Sequence, residues 1–252
     1  MGATGGLRTD MLYYQTIYPE YMAGELLDRF LAAGWYRIGQ SFITTDLITH
    51  DEILIPVYWL RIRLASYRPS GSARRIRRRC AQLQTKILPF AITPEIEALY
   101  ARYRESLSHT ISPSVHEYLL DAEWNNAFDS RLIEVRDSGR LVAAGYFDLG
   151  ARCSTGILHI YEPGLSQFSL GKLLYLEAID FSLGEGHHYY YPGYLSPGTE
   201  KFDYKLFADP DSTELFLRPL HRWVPYNKVA HKLRRWGDRV TAVTRRYRLP
   251  HG

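Results

Sequence analysis

The sequence predicts a folded protein of the mixed α/β (α+β) class. Segments with apolar residues at helical spacing alternate along the chain with short segments rich in β-branched and aromatic residues. The 252 residues are 46% hydrophobic and 14% aromatic, which excludes a disordered chain. This length suffices for one large core or for two smaller cores that share a cleft.

The first half begins with a predicted helix at residues 19–33, and Gly34 is a typical helix stop. Residues 35–45 and 53–65 have the composition of strands. Residues 69–72, Pro-Ser-Gly-Ser, then offer a turn and a cap for an arginine-rich helix.

A strand is predicted at residues 87–92, followed by a helix that Thr93 caps and in which Pro94 takes the first position. Apolar residues at helical spacing predict the buried stripe of this helix. The stripe consists of Ile96, Leu99, Tyr100 and Tyr103.

The second half follows residues 109–113, which are the best candidate for a domain boundary. Its predicted elements are a helix at 115–120, a hairpin of 131–136 and 141–149, a third strand at 155–161, a helix at 169–183 and a fourth strand at 187–194. We therefore predict a mixed α/β domain at 1–110, a second domain at 111–217 and a basic helical tail at 218–252. The similar order of elements in the two halves suggests a duplicated architecture.

Positive charge is concentrated in two blocks, although the formal net charge is only +4. Residues 61–79 contain eight arginines and no acid, and residues 218–252 contain ten Lys or Arg and one Asp. Such density is typical of proteins that bind a polyanion, because each neutralised phosphate releases condensed counterions. A solvated basic helix and an exposed tail are the simpler explanation for either block alone.

Other features narrow the class of protein. No apolar run reaches the roughly 20 residues of a membrane-spanning helix, and residues 1–10 do not resemble a secretory leader. Cys80 and Cys153 are far apart and form no CxxC motif, so they indicate neither a disulfide framework nor a metal site. We expect a cytoplasmic protein that has no membrane or metal partner.

A hairpin, a third strand, a loop, a helix and a fourth strand is the order found in GNAT acyltransferases, and we expect a GNAT-like fold. The phosphates of the cofactor lie in such proteins at the amino end of the helix. Free backbone N–H groups and the helix dipole bind anions there, and Gly171 allows a close backbone approach. Ser169 precedes this helix and is a candidate cap.

The motifs resemble those of the aminoacyl-tRNA-protein transferases, the family of arginyl-tRNA-protein transferase and its bacterial leucyl-transferring relatives. The matching segments are Gly139–Ala143 leading to Asp148, Tyr161-Glu162-Pro163, Ser169-Leu170-Gly171, Tyr190–Tyr194 and Tyr204-Lys205. Their order and spacing agree over residues 118–216, and a thinner likeness extends upstream. The resemblance implies an aminoacyltransferase that uses charged tRNA as co-substrate, without a further cofactor, and a protein or peptide as acceptor.

One departure from the family concerns the cysteines that usually precede the Ile-Pro-Val position. This chain has His50, Asp51 and Glu52 near that position and no cysteine. An iron–sulfur or soft-metal site is therefore not expected, because thiolates are the ligands of such centres. The departure leaves open whether the acceptor begins with an acidic residue, as is usual in the family.

The implied reaction is attack of an amine on the ester that joins an amino acid to the 3′ end of tRNA. Positioning and stabilisation of the developing oxyanion are then the main tasks of the enzyme. Glu162 and Asp148 are candidates for removing the amine proton. The resemblance implies that Lys205 binds a phosphate or stabilises the developing negative charge.

Substrate contacts are implied mainly for aromatic residues and for the helix start. Alternation along the strand at 187–194 places one set of tyrosines in the core and the other in the cleft, where they would stack on the terminal adenine. The predicted substrate-binding residues are Tyr161, Ser169, Leu170, Gly171, Tyr191, Gly193, Tyr194 and Tyr204, and the predicted tRNA-binding residues are Arg74, Arg75, Arg77, Arg78 and Arg79. His159, His187 and His188 lack ligand spacing and receive no role.

Two other functions compete with this interpretation. An acetyl-CoA-dependent N-acetyltransferase would use the same strand, loop and helix, but the segment Gln167–Gly171 fits the usual phosphate loop poorly. A noncatalytic RNA-binding module would need only the basic tail.

Overall fold

The structure is a computed structural model that describes residues 14–50, 53–107, 111–121, 125–196 and 204–233. Its helices are α1 (Gly24–Ala32), α2 (Gly71–Arg79), α3 (Pro94–Glu105), α4 (Val115–Leu120) and α5 (Leu170–Gly184), and residues 226–233 are also helical. Its strands are β1 (Tyr14–Ile17), β2 (Tyr36–Ile38), β3 (Ser41–Thr45), β4 (Leu47–His50), β5 (Ile53–Pro56), β6 (Tyr58–Arg63), β7 (Gln84–Pro89), β8 (Ser130–Asp137), β9 (Arg140–Leu149), β10 (Cys153–Tyr161), β11 (Tyr189–Leu195), β12 (Thr213–Leu217) and β13 (Arg222–Pro225).

Within the described ranges, the central sheet contains eight strands in the order β13-β12-β6-β11-β10-β9-β8-β7. β10 and β11 are parallel, and the other neighbouring pairs are antiparallel. The parallel pair is joined by α5, because a parallel connection needs a crossover of this length. The predicted mixed α/β class is confirmed by this sheet, and β8-β9-β10-α5-β11 follows the GNAT-like order.

Helices cover both faces of the central sheet. Leu132, Leu141 and Tyr146 pack with α3 and α4 in one cluster, and their chain neighbours Ile133, Val142 and Phe147 pack with α2 and α5 in another. Side chains of successive strand residues point to opposite faces, so the two clusters lie on the two sides of the sheet. The position of α5 against β9, β10 and β11 is therefore fixed by apolar packing.

A smaller sheet of β1, β3 and β2 lies beside the central sheet, and β4 pairs with β5. Phe42 of β3 packs with Leu27 and Leu31 of α1 in a third buried cluster. The Tyr36 hydroxyl on β2 donates to the carbonyl of Gly156 on β10. The amino-terminal residues thus contact the centre of the large sheet.

Most predicted elements are confirmed, with shifted boundaries. Ser70 is the cap of α2, and its Oγ accepts from the N–H of Ala73 at 3.0 Å. Thr93 and Pro94 open α3 as expected, and α4 has the predicted bounds. The segment 35–45 is a hairpin of two strands, not one strand, because Gly39 turns the chain with φ +57°.

The three predicted segments, 1–110, 111–217 and 218–252, do not have a separate sheet each, because all three contribute strands to the central sheet. The central sheet takes β6 and β7 from the first segment, β8 to β12 from the second and β13 from the third. The described part of the tail thus contains a strand, because Trp223 and Val224 pair with Phe216 and Leu215 of β12. The two halves do not form two similar sheets in the described ranges, so no duplication is visible.

No helix within the described ranges is long and apolar enough to cross a membrane.

Candidate active site

The candidate site lies where the two parallel strands separate. β10 and β11 pair only from Cys153 to Thr155, opposite Tyr189 to Tyr191, although both strands continue further. Beyond this point β10 stays paired with β9 and β11 stays paired with β6. Register shifts after Gly156 in β10 and after Tyr190 in β11 accompany the separation. A wedge-shaped opening between the strands results.

Two adjoining cavities occupy this opening. The strand-side cavity of about 540 Å³ is bounded by Gly156–His159 of β10 and by Pro192 and Tyr194 of β11. The helix-side cavity of about 610 Å³ is bounded by Ser169–Lys172 at the start of α5. Six of the described residues line both cavities and mark their junction: Tyr103, Tyr118, Leu158, His159, Tyr204 and Lys205.

The start of α5 is open to the helix-side cavity. The N–H groups of Lys172 and Leu173 donate to the carbonyl of Ser169. The N–H groups that precede them in the first turn have no partner inside the helix, as at the start of any helix. Ser169 is the N-cap by position, but its side chain makes no capping hydrogen bond, so the suggestion that it caps α5 is wrong. Gly171 lies against the Tyr161 ring, and a Cβ there would be 2.9 Å from Tyr161 Cε1.

Lys205 stands at the junction of the cavities. Its Nζ donates to the carbonyl of Tyr194 at 2.9 Å and lies 4.5 Å from the centre of the Tyr194 ring. Desolvation lowers the pKa of Lys205 to about 7. Gly193 has φ +94°, and a Cβ at this position would come within 3.2 Å of Lys205 Nζ. Glycine therefore makes room for the ammonium group.

His159 also lies at the junction, although no motif or spacing in the sequence distinguishes it. Burial, and to a smaller extent the charge of Lys205, lowers the pKa of His159 to about 4, although a hydrogen bond with the backbone of Gly171 acts in the opposite direction. Its Nε2 and the hydroxyl of Tyr190 are buried without a hydrogen-bond partner in the described part of the chain. The nearest signal in the sequence is its position in the strand before the Ser-Leu-Gly turn.

The predicted substrate-binding residues divide into two groups. Tyr161, Ser169, Leu170, Gly171 and Tyr204 line the helix-side cavity, and Tyr194 and Tyr204 line the strand-side cavity. Tyr191 is only 3% exposed and packs with Cys153 and Trp223 in a different cluster. The structure therefore brings Tyr194 to the site and does not bring Tyr191 there, because residues three apart in a strand point to opposite faces.

The two carboxylates that are candidates for the base are engaged elsewhere. Asp148 is inaccessible to solvent and accepts from Arg37 at 2.9 Å and from Ser130 at 2.5 Å. Glu162 accepts from Arg102 at 3.1 Å and from Arg140 at 2.5 Å. Neither residue lines the cavities. The structure thus places both in ion pairs outside the opening.

The five predicted tRNA-binding arginines have different environments. Arg75, Arg78 and Arg79 surround an open surface depression, and Arg79 Nη2 lies 3.5 Å from Ser169 Oγ at the start of α5. Arg74 is exposed and donates to the carbonyl of Pro69 at 2.7 Å. Arg77 is instead paired with Asp180 of α5, so it joins two helices. Four of the arginines therefore present charge to solvent.

Among the described residues, no group of three or more His, Cys, Asp or Glu side chains is placed to hold a metal ion.

Comparison with known proteins gives the site its context. Residues 95–213 match the family model described as the carboxy-terminal part of arginine-tRNA-protein transferase. The aspartate/glutamate leucyltransferase of Leptospira interrogans is 25% identical over 212 residues, which cover 82% of this chain and 81% of that protein. The protein of the same name from Paracoccus denitrificans is 30% identical over 161 residues, covering 58% and 57%.

Over residues 95–213 the chain is similar to the aminoacyl-tRNA-protein transferases. The resemblance inferred from the motifs is thereby confirmed, and so is the predicted enzyme class, an aminoacyltransferase. The matched residues 95–213 contain the start of α5, both separated strands and Lys205. The candidate site thus lies within the part of the chain that is similar to these transferases.

Solved structures give only distant matches. The GNAT-family acetyltransferase of Novosphingobium aromaticivorans is 14% identical, covers 80% of this chain and 68% of its own, and has a TM-score of 0.37. The GNAT-like order of elements is seen in the strands and helix β8-β9-β10-α5-β11.

Proposed function

We propose that this aminoacyl-tRNA-protein transferase relative moves an amino acid from the 3′ end of tRNA to the terminal amine of a protein or peptide. The observation that carries the proposal is the continuous opening from the start of α5 to the separated strands, with Lys205 at its centre. The terminal adenosine enters the helix-side cavity, and the aminoacyl ester lies at the junction. No further cofactor is needed, because the ester is already activated.

Charge outside the opening supports the entry of a nucleic acid from the α2 side. Arg75, Arg78 and Arg79 lie next to Ser169, so a chain of phosphates held by these arginines would lead to the start of α5. The rings of Tyr161 and Tyr204 supply apolar faces at the cavity wall, on which a base can stack. Arg74 adds positive charge on the same helix, whereas Arg77 is occupied by Asp180.

The lining of the cavities favours a leucine-class donor over arginine. Among the described residues, no acidic side chain lines the helix-side cavity, and Asp121 is the one acidic residue that lines the strand-side cavity. A guanidinium group in the helix-side cavity would meet no carboxylate of the described residues, whereas an aliphatic side chain fits walls formed by Leu158 and aromatic rings. The named leucyltransferase relatives agree with this choice.

The test combines the protein with tRNA charged with leucine or arginine and with peptides that begin with Asp, Glu or Ala. We expect a mass gain of one leucyl residue on peptides with an acidic first residue, the N-degron class. The same peptides with an acetylated amino terminus are the matched control and should not react.

Two outcomes would contradict the proposal. Acetylation of a peptide with acetyl-CoA, together with thermal stabilisation by acetyl-CoA alone, would favour an N-acetyltransferase. Binding of charged tRNA without transfer to any amine would favour a noncatalytic RNA-binding module.

A further inference from the structure

We infer that Lys205 is the catalytic residue that removes the proton from the acceptor amine. This inference rests on the proposed transfer from charged tRNA and assigns one step of it. An acceptor amine is largely protonated at neutral pH, and its lone pair is needed to form the new amide bond. Some group at the site must therefore take a proton, and Asp148 and Glu162 are both held in ion pairs away from the cavities.

The position of Lys205 suits this task. Its side chain is partly buried at the junction of the two cavities, where a substrate that enters from the helix side meets one that enters from the strand side. The carbonyl of Tyr194 accepts from Nζ at 2.9 Å, and Gly193 leaves the space that Nζ fills. The Tyr175 hydroxyl donates to the carbonyl of Lys205 at 3.0 Å and fixes the backbone on which the lysine stands.

The surroundings favour the neutral form of the lysine. Desolvation lowers the pKa of Lys205 to about 7, so a large fraction is unprotonated at neutral pH. The other charged groups that the described residues place around the cavities are Arg37, Lys172 and Asp121, and His159 is neutral because its pKa is lowered to about 4. Burial also raises the pKa of the nearby phenols of Tyr36, Tyr190, Tyr194 and Tyr204, so these remain neutral.

The chemical step balances without a further reactant. The acceptor amine attacks the ester carbonyl in its neutral form, and neutral Nζ takes a proton from the nitrogen as the new C–N bond forms. The bond from the carbonyl carbon to the 3′ oxygen then breaks. The proton on Nζ passes to the 3′ oxygen, which leaves as a hydroxyl group, and Nζ is neutral again.

The test compares Lys205→Arg and Lys205→Met with the wild type, and Lys86→Arg is the matched control. Arginine keeps the charge but does not lose its proton in proteins, so it cannot act as a base. Lys86 is exposed on β7, outside both cavities. We expect both Lys205 variants to lose kcat/KM by about 100-fold or more, as is typical when an acid–base group is removed. Lys86→Arg should keep the wild-type rate.

The pH profile separates proton transfer from a structural role. We expect transfer by the wild type to rise with pH through about 7, where Lys205 loses its proton, to rise again through the pKa of the acceptor amine, and then to level off. Each titrating group causes a break in the profile, which is a change of slope at its pKa. Two acceptor peptides whose amines differ in pKa are compared, because the break due to Lys205 should stay at the same pH while the break due to the acceptor moves. In the profile of Lys205→Arg, only the break due to the acceptor should remain. In Lys205→Gly, added small primary amines should restore part of the rate, because they can take the place of the missing side-chain amine.

The outcomes distinguish this inference from the proposed function. Absence of transfer by the wild type at every pH would overturn the proposed function. Transfer by the wild type, with Lys205→Arg keeping its rate and both breaks, would overturn only the role of Lys205. The wild-type profile decides the matter even if a variant does not fold, because a profile that contains only the acceptor break would also contradict the inference.

Discussion

Arg37 and Asp148 form an ion pair whose side chains are 1% and 0% exposed. Arg37 also donates to the carbonyls of Gly39 and Leu119, and it lies 4.1 Å from the centre of the Phe128 ring. These contacts join β2 to α4 and to the central sheet. Removal of one partner from such a pair leaves an uncompensated buried charge, so the pair holds the wall of the site in place.

We predict that Asp148→Asn lowers the free energy of unfolding by about 3–5 kcal/mol, because Arg37 then has no buried counter-charge. Urea denaturation measures the change. Asp129→Asn is the matched control, since the Asp129 side chain is 44% exposed and its pair with Arg131 lies at the surface. That substitution should change stability by less than about 1 kcal/mol, and equal losses in the two variants would contradict the structural role of Asp148.

Lys205 should also make stability depend on pH. Because its pKa is lowered in the folded protein to about 7 from an ordinary value of 10.5, the unfolded chain binds more protons between these values. Wild-type stability should therefore rise with pH across this window, and below pH 7 the full cost of the buried cation is present.

The corresponding variant, Lys205→Met, lacks that cost. It should be more stable than the wild type below pH 7, and its advantage should shrink as the pH approaches 10. Thermal unfolding of both proteins across this range measures the difference. Lys86→Met, at an exposed site, should differ from the wild type by an amount that does not change with pH, and the same constancy in Lys205→Met would refute the prediction.

The sequence predicted part of the site at this scale. The residues at the start of α5 follow from the Ser-Leu-Gly turn, and Lys205 follows from the Tyr-Lys motif. Alternation along β11 separates two sets of tyrosines, but it does not say which set faces a cavity, so Tyr191 was selected where Tyr190 lines the opening. His159 was not selected, because its environment depends on a contact with α5 that spacing alone cannot predict.

At the scale of elements, α2 is packed through one side and charged on the other. Ala73 and Ile76 are buried against α5, and the ion pair of Arg77 with Asp180 links the two helices. Arg75 and Arg78 point to solvent. The sequence predicted the helix and its cap, but it did not distinguish the arginine that binds α5 from those available to a ligand.

We predict that Arg75→Gln with Arg78→Gln weakens tRNA binding and reduces the slope of log affinity against log salt by about 2, roughly 1 for each lost phosphate contact. A salt titration of binding measures both effects. The control, Arg29→Gln with Arg152→Gln, removes the same charge from exposed positions outside the depression at α2. Equal effects of the two double variants would remove α2 from the tRNA site.

At the scale of the whole molecule, one sheet unites the chain from β6 to β13. Trp223 of β13 contacts the rings of Tyr191 and Phe216, and Arg61 of β6 lies between the rings of Tyr189 and Trp223. Local patterns predicted most of these elements. They did not predict that segments far apart in sequence share a sheet, because pairing across long separations leaves no periodic signal in either segment.

We predict that deletion of residues 218–252 destabilises the whole protein, because it removes β13 and uncovers β12 along its edge. The truncated protein should lose its unfolding transition or show a much lower midpoint in circular dichroism. A second truncation after residue 233 keeps β13 and the helical residues 226–233 and is the matched control. An unchanged midpoint after the longer deletion would show that the tail is a separate unit.

Pro192 lies in β11 at the place where β10 and β11 separate. Proline has no N–H to offer a neighbouring strand, so the chemical identity of this residue opposes closure of the gap. The gap is accordingly present before any ligand arrives, and an incoming aminoacyl group does not have to break strand pairing to enter. The binding free energy of the aminoacyl group is therefore not reduced by the cost of breaking hydrogen bonds between β10 and β11.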